Sequence, residues 1–343
     1  MSFANDLLES IGVEAPSLDT SVVAEAVVGQ FGLEGNYAPL VSERDQNFRL
    51  TTVNNDRYLV KLTSPVEDRT ATDFQISALH HLANCGISGV PRNVFTTSGE
   101  SRGSIGLDDG SSLCLRVLTW VEGSLLDDSE LTPGIAGALG HRLAEIDKAL
   151  ESFSGEGDGQ ASLWDTQRAE RLRSLLVHVD DSPVRQQVEA VLDEFDKRVT
   201  PALKTFPRQA IHNDANTENI LLDTSGGVSG IIDFGDMLQA PRIIEVSTAA
   251  AYLRSGDSDP MRFIAPLVAG YQQRNPLSES ELDVLFDLIR TRLAMTIIHF
   301  YWRLAARGKD DPYLKKQIDS EDGAFAFLQS LSHVGRTTFR ERI

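Results

Sequence analysis

Ile211-His212-Asn213-Asp214-Ala215-Asn216-Thr217-Glu218-Asn219-Ile220-Leu221-Leu222 is followed, eleven residues beyond Leu222, by Asp233-Phe234-Gly235-Asp236 at the end of the apolar run Gly230-Ile231-Ile232. The order is a carboxylate, four residues, a carboxamide, a short hairpin and a second carboxylate. Phosphoryl transfer needs this set: a loop Asp that orients the attacking hydroxyl, and an Asn and an Asp that hold the divalent ion on the phosphates. Mg2+ takes hard oxygen ligands, few from protein and the rest from phosphate and water. Four residues turn the chain so that Asp214 and Asn219 converge, and the hairpin returns Asp233 beside them. A lone Asp-Gly or His-x-Asp is usually turn chemistry. Here each piece also has the strand or loop context its role requires. His212 reads as a brace for the loop rather than a reacting group.

Upstream, the pattern is that of a sheet. Phe48, Leu50 and Thr52 alternate, as do Tyr58, Val60 and Leu62, and Asn54-Asn55-Asp56 between them suits an antiparallel hairpin. A helix is expected over Thr20–Phe31, capped by Asp19 or Thr20, with Val22, Ala26 and Val27 on one face. A second helix carries Ala71, Phe74, Ala78 and Leu82 and closes at Gly86. A strand leads from Pro91 towards Thr96, and Leu113–Val121 reads as the central strand. Beyond an acidic connector, the steps Leu139, Leu143, Ile146, Leu150 and Phe153 mark a long helix. Similar patterns cover Thr166–Val179, Pro183–Val199, Ile243–Leu253 and Glu279–Leu304, with a β-like island at Ile220–Leu222 and Val228–Ile232. The expected class is α+β and bilobal: a small antiparallel-sheet lobe over residues 1–121, a hinge over 122–130 and a larger, mainly helical lobe over 131–343. A cleft between two lobes is a common small-molecule site.

The chain has 343 residues, 32 Lys+Arg against 50 Asp+Glu, and a formal net charge of -18. That balance argues against a nucleic-acid partner and against docking on an anionic membrane. A nucleotide remains compatible, since a metal and one cation can hold its phosphates. The two cysteines, Cys85 and Cys114, lack metal-type spacing. No secretory leader or membrane-length apolar run is visible, so a soluble cytoplasmic protein is expected. The other six histidines, including His80, His81 and His299, share no ligand spacing and read as packing or surface residues.

The chain resembles the aminoglycoside phosphotransferase and choline-kinase-like superfamily, and within it the hydroxylysine-kinase branch. The resemblance runs over about residues 40 to 255. It rests on Ser42–Phe48, Tyr58–Leu62, Asp73–Gln75 with Leu79–Leu82, Leu115–Gly123, His212–Asn216 and Gly230–Met237; the last two are the specific ones. It implies a protein-kinase-like fold with ATP or GTP as donor and Mg2+ as cofactor. Lys61 would reach the α- and β-phosphates, Asn47 and nearby backbone amides would contact phosphate, and the backbone of Thr119 and Val121 would meet the purine edge. The family pairs its strand Lys with an acid on the following helix. Asp73, Gln75 and Glu67 are the candidates here, and Gln75 is preferred. Asp214 would be the catalytic residue, with Asn219 and Asp233 as metal ligands. Asp236 would support the loop or meet a substrate cation. Trp164, with Trp120, Tyr301 and Trp302, would line a pocket for a cationic substrate, although the core is the commoner place for an aromatic side chain.

The expected activity is transfer of a γ-phosphate to a hydroxyl of an amino alcohol or hydroxy amino acid. The alternatives are an aminoglycoside, homoserine, choline or sugar kinase of the same superfamily, or a nucleotide-binding pseudokinase that serves as a partner protein. The acceptor would be read by the helices after Ile135.

Overall fold

In the computed structural model, which describes residues 15–42, 44–63, 69–157, 163–254, 259–308 and 312–343, the chain groups into two compact units. One comprises the chain up to Glu122 with a short stretch beginning at Gly155; the other is the remainder. The protein is mixed α+β, with its large antiparallel sheet in the N-terminal unit and most of its helices in the other.

In the first unit Asp19 accepts from the Ser21 amide and starts α1 (Thr20–Phe31), which Gly32 ends at φ 68. The buried face is Val23, Val27 and Phe31, not the expected Val22 and Ala26, and Val22 is exposed. Valines at 22, 23, 27 and 28 give the helix two apolar stripes. The stripe that reaches Phe31 wins because it joins Phe48, Leu50, Val60, Leu62, Leu115 and Val117 in one core. The sheet runs β1 (Gly35–Leu40), β2 (Gln46–Thr52), β3 (Arg57–Thr63), β6 (Ser112–Thr119) and β4 (Asn93–Val94), with β5 (Gly103–Gly106) also on β6. Phe48 faces Val60 and Leu50 faces Tyr58, and Asn55 takes φ 67 in the turn. The expected strand from Pro91 contracts to Asn93-Val94. Helix α2 (Arg69–Asn84) buries Ala71, Phe74, Ala78 and Leu82, and Gly86 turns the chain at φ 76. Asn47, Lys61 and Arg116 lie opposite one another across three strands, so their side chains share one face of the sheet.

In the second unit the stretch expected as a plain connector contributes β7 (Ser124–Leu125), followed by a 3-10 turn at Leu126–Asp128. Two residues show no alternation, which hid this strand from the pattern. It pairs with β9 (Ile220–Leu222), which pairs in turn with β10 (Val228–Ile231). Separately β8 (Gln209–Ile211) pairs with β11 (Leu238–Ala240). The His212–Asn219 loop is therefore pinned at both ends by strands.

Helix α3 (Pro133–Leu150) is capped by Thr132 and buries Leu139, Leu143, Ile146 and Leu150; Phe153 lies past its end. Thr166–His178 forms 3-10 turns kinked at Arg168, not one α-helix. Helix α4 (Ser182–Glu194) gives way to a π turn at Phe195–Val199. Then come α5 (Ile243–Tyr252), α6 (Met261–Arg274), α7 (Glu279–Arg307), α8 (Pro312–Val334) and α9 (Arg336–Arg342). The sequence reading did not anticipate α6, which encloses Pro266, a residue that argues against a helix interior. Helices α3 and α6 approach closely enough that a Cβ at Gly140 would strike the Leu267 carbonyl, and one at Gly270 the Gly137 carbonyl. No described helix is long and apolar enough to cross a membrane.

Candidate active site

The loop after β8 is held by its own backbone and by buried groups beneath it. The Asp214 amide donates to Nδ1 of His212 at 3.2 Å, so the ring proton sits on Nε2, which donates to the Ile232 carbonyl at 2.9 Å. One imidazole thus ties the loop to the strand that precedes Asp233, and the ring packs edge-on against Phe234 at 4.6 Å. Asn213 adopts φ 65, a conformation Asn tolerates. Its amide donates to Glu245 Oε2 at 2.8 Å, and its side-chain Nδ2 to the Asp236 carbonyl at 3.2 Å.

Asp214 and Asn219 converge as their spacing predicts. Asn219 Nδ2 donates to Asp214 Oδ2 at 2.7 Å and to its carbonyl at 2.9 Å, and Asn216 Nδ2 reaches Oδ1 at 3.0 Å. The Ile232 amide donates to the Asn219 carbonyl at 2.9 Å. That bond extends the β9–β10 pairing by one step and sets Asp233 at the Asn219 end of the hairpin. Asp233 takes φ 58, and its Oδ1 accepts from the Gly235 amide at 3.2 Å. Asp236 is buried.

Three carboxylates in so small a volume disturb one another. Burial pushes the Asp214 carboxyl well above its usual range, and the charges of Asp236 and Asp233 add to this, while Arg292 and the Asn216 hydrogen bond oppose it. A carboxylate of raised basicity suits a group that must accept a hydroxyl proton. Beneath the loop lie Glu245 and Asp147, both raised chiefly by burial. Tyr271 donates to Asp147 Oδ2 at 2.6 Å. Trp164, expected against a substrate cation, lies beneath the Arg292 guanidinium at 4.6 Å and meets His299 edge-on at 4.6 Å. Its indole thus packs against protein side chains.

In the first unit Lys61 Nζ meets Asp45 Oδ2 at 2.8 Å. Gln75, preferred in the sequence reading as the Lys61 partner, accepts from Arg116 Nη1 at 3.0 Å. Asp73 pairs with Arg102, and Glu67 lies outside the described residues. Asp45, in the turn before β2, thus brings one carboxylate to Lys61. The Asn47 side-chain oxygen is buried and makes no hydrogen bond among the described residues. The Thr119 amide donates to the Arg92 carbonyl at 2.9 Å, and its hydroxyl accepts from the Arg92 amide at 2.9 Å. That amide is therefore already engaged. Val121 follows within the same unit.

Asp45, Arg116, Glu245 and Arg292 went unassigned in the sequence. Asp45 was visible within the quoted Ser42–Phe48 segment. The other three carry no local signal, because their partners come from distant segments.

The donor chemistry fits a hard divalent ion. Asn219 meets Asp214 through two hydrogen bonds from Nδ2, which turns its amide oxygen away from Asp214. Asp233 stands at the same hairpin end. Among the described residues no three His, Cys, Asp or Glu side chains gather as a metal site, so phosphate and water would complete the coordination.

The antiparallel sheet with its helix, the pinned Asp-Asn loop and the hairpin carboxylate together define the protein-kinase-like fold of small-molecule phosphotransferases. The sequence profile of the Phosphotransferase enzyme family matches residues 37–282, and the chain belongs to that family. It is similar to the hydroxylysine kinase of Xenopus laevis, 26% identical over 358 residues, covering 97% of this chain and 94% of that kinase. Among solved structures it resembles the amicoumacin kinase hAmiN in complex with AMP-PNP, Ca2+ and Ami. There the TM-score is 0.71 at 15% identity, covering 94% of this chain and 97% of that one. It also resembles the microcompartment-associated aminopropanol kinase, with a TM-score of 0.66 at 16% identity over 93% of this chain and 99% of the other. The protein is an enzyme, a phosphotransferase with an alcohol group as acceptor.

Proposed function

We propose that the protein transfers the γ-phosphate of ATP or GTP, with Mg2+, to the hydroxyl of an amino alcohol or a hydroxy amino acid of the hydroxylysine type. The observation that carries this reading is the hydrogen bonding of Asp214 to Asn219 beside the hairpin that presents Asp233. The hydroxylysine kinase and aminopropanol kinase relatives support the acceptor class. Use of a nucleotide donor goes with a cytoplasmic location.

Asp214 would orient the acceptor hydroxyl and take its proton through a carboxylate oxygen. Asn219 and Asp233 would hold the Mg2+, which when bound neutralises developing phosphate charge. Lys61, steadied by Asp45, would meet the α- and β-phosphates, and Asn47 would donate to a phosphate oxygen through its side-chain amide. Thr119 and Val121 would meet the purine through backbone groups, with the Thr119 amide excluded as a donor by its bond to Arg92. Gln75 would act at one remove by fixing Arg116 beside Lys61. Asp236 would face the substrate ammonium, and Trp164 would bound the acceptor region. Alignment and electrostatic stabilisation would lower the barrier, with no phosphoenzyme.

The test is purified protein with Mg2+, ATP or GTP, and a panel of hydroxylysine, aminopropanol, homoserine, choline and an aminoglycoside. The expected result is phosphorylation of an acceptor with both amine and hydroxyl, lost in Asp214→Asn. Nucleotide-dependent stabilisation without transfer to any acceptor would overturn the reading in favour of a binding protein.

A further inference from the structure

Arg292 stands on α7 with its side chain wholly buried. Its Nη1 donates to the Trp164 carbonyl at 2.8 Å, its guanidinium lies 4.6 Å from the centre of the Trp164 ring, and the Tyr252 ring is 5.6 Å away. Nη2 comes within 3.8 Å of Asp214 Oδ1, yet Nη2 and Nε make no hydrogen bond among the described residues.

This is not how a purely structural ion pair closes. In the same unit Arg242 grips Glu281 with two hydrogen bonds, at 3.0 and 3.1 Å. Burying a guanidinium short of hydrogen-bond contact forfeits most of the compensation for its lost hydration, so the stand-off calls for a reason. At this distance the Coulomb attraction remains strong in a poorly hydrated site. The Asp214 oxygens meanwhile keep the Asn216 and Asn219 amides as their hydrogen-bond donors. The cation attracts the carboxylate without occupying its lone pairs, and it opposes the repulsion of Asp233 and Asp236.

We infer that Arg292 is a positioning residue for phosphoryl transfer, a buried guanidinium clamped by Trp164 that holds the Asp214 carboxylate towards α7 while leaving its oxygens open to the acceptor hydroxyl. The inference rests on the reading of Asp214 given above.

The experiment compares Arg292→Ala, Arg292→Met and Arg292→Lys with the parent and with Asp214→Asn, using the best acceptor of the panel. Arg292→Ala leaves a guanidinium-sized space, whereas the Met variant fills it with a neutral chain. The expected result is a kcat about a hundredfold lower in the Ala and Met variants, with nucleotide KM within about twofold of the parent. Millimolar guanidinium should restore kcat at least about tenfold in the Ala variant and not in the Met variant. Should the Ala variant not fold, the Lys variant decides, and its retained charge should keep kcat about tenfold above Met. A Met variant with the parent's kcat, an Ala variant that guanidinium leaves unchanged, or equal kcat in Lys and Met would overturn the inference while Asp214→Asn remains inactive. Full activity in Asp214→Asn would instead overturn the reading of Asp214 itself.

Discussion

Lys61 Nζ and Asp45 Oδ2 meet at 2.8 Å with each side chain only 10% exposed, so an ammonium and a carboxylate share a nearly dry site on the sheet. Breaking one side of such a pair strands the other charge, whereas replacing both removes the problem. Lys61→Met and Asp45→Asn should each lower unfolding free energy by about 3 kcal/mol. The double variant should lose clearly less than the sum, as read by urea denaturation of all four proteins. Additive losses would mean that the pair is not energetically coupled. Lys61→Met should also raise the nucleotide KM.

Asp214→Asn preserves shape and removes the charge. We expect kcat to fall about 10²- to 10⁴-fold, the range for loss of a general base. Nucleotide affinity, measured by fluorescence titration, should change little.

For Asp233→Asn the prediction concerns the metal. Loss of one anionic oxygen should move the Mg2+ concentration for half-maximal rate upward by about tenfold or more, checked by metal titration at saturating nucleotide.

His299 is fully enclosed, and neither ring nitrogen has a hydrogen-bond partner among the described residues. Burial, with the nearby charges of Arg303 and Arg292, holds its pKa well below the usual 6.5. The folded state therefore keeps the ring neutral, while the unfolded chain takes up a proton as pH falls below that value. The stability contribution is complete above the unfolded pKa and is lost as pH falls towards the folded one. Between about pH 7.5 and 5.5 the parent should lose about 1.4 kcal/mol on this account. His299→Phe should lack that part of the slope, as seen by denaturant melts at both pH values.

Gly140→Ala and Gly270→Ala each place a methyl against the backbone of the facing helix. Neither carbonyl can swing aside as a side chain would. Each should destabilise by about 1–3 kcal/mol, the usual cost of overpacking, with a lower melting temperature for the folded enzyme. Unchanged stability would mean that α3 and α6 separate easily.

The sequence made the Asp214–Asn219 loop and its hairpin legible because their residues interact over short spans. Asp214 bonds Asn219 five positions on, and the intervening strands bring Asp233 back within one hairpin. The β2–β3 pair was legible for the same reason: alternation and an Asn-rich turn lie side by side in the chain. The α1 limits also follow from local caps, whereas its buried face does not, since two valine stripes satisfy the same periodicity. Strand β7 and helix α6 escaped detection because one is two residues long and the other contains Pro266.

The sequence by itself determined the family, the class of chemistry and the convergence of Asp214 with Asn219, because these depend on short spacings enforced by covalent geometry. Only the tertiary structure decided that Asp45 meets Lys61 from the turn before β2, that Gln75 accepts from Arg116, and that Glu245 and Arg292 reach the loop from α5 and α7. Those pairings join segments far apart in the chain. Which charges become neighbours there is set by the packing of whole strands and helices, and no local spacing records that packing.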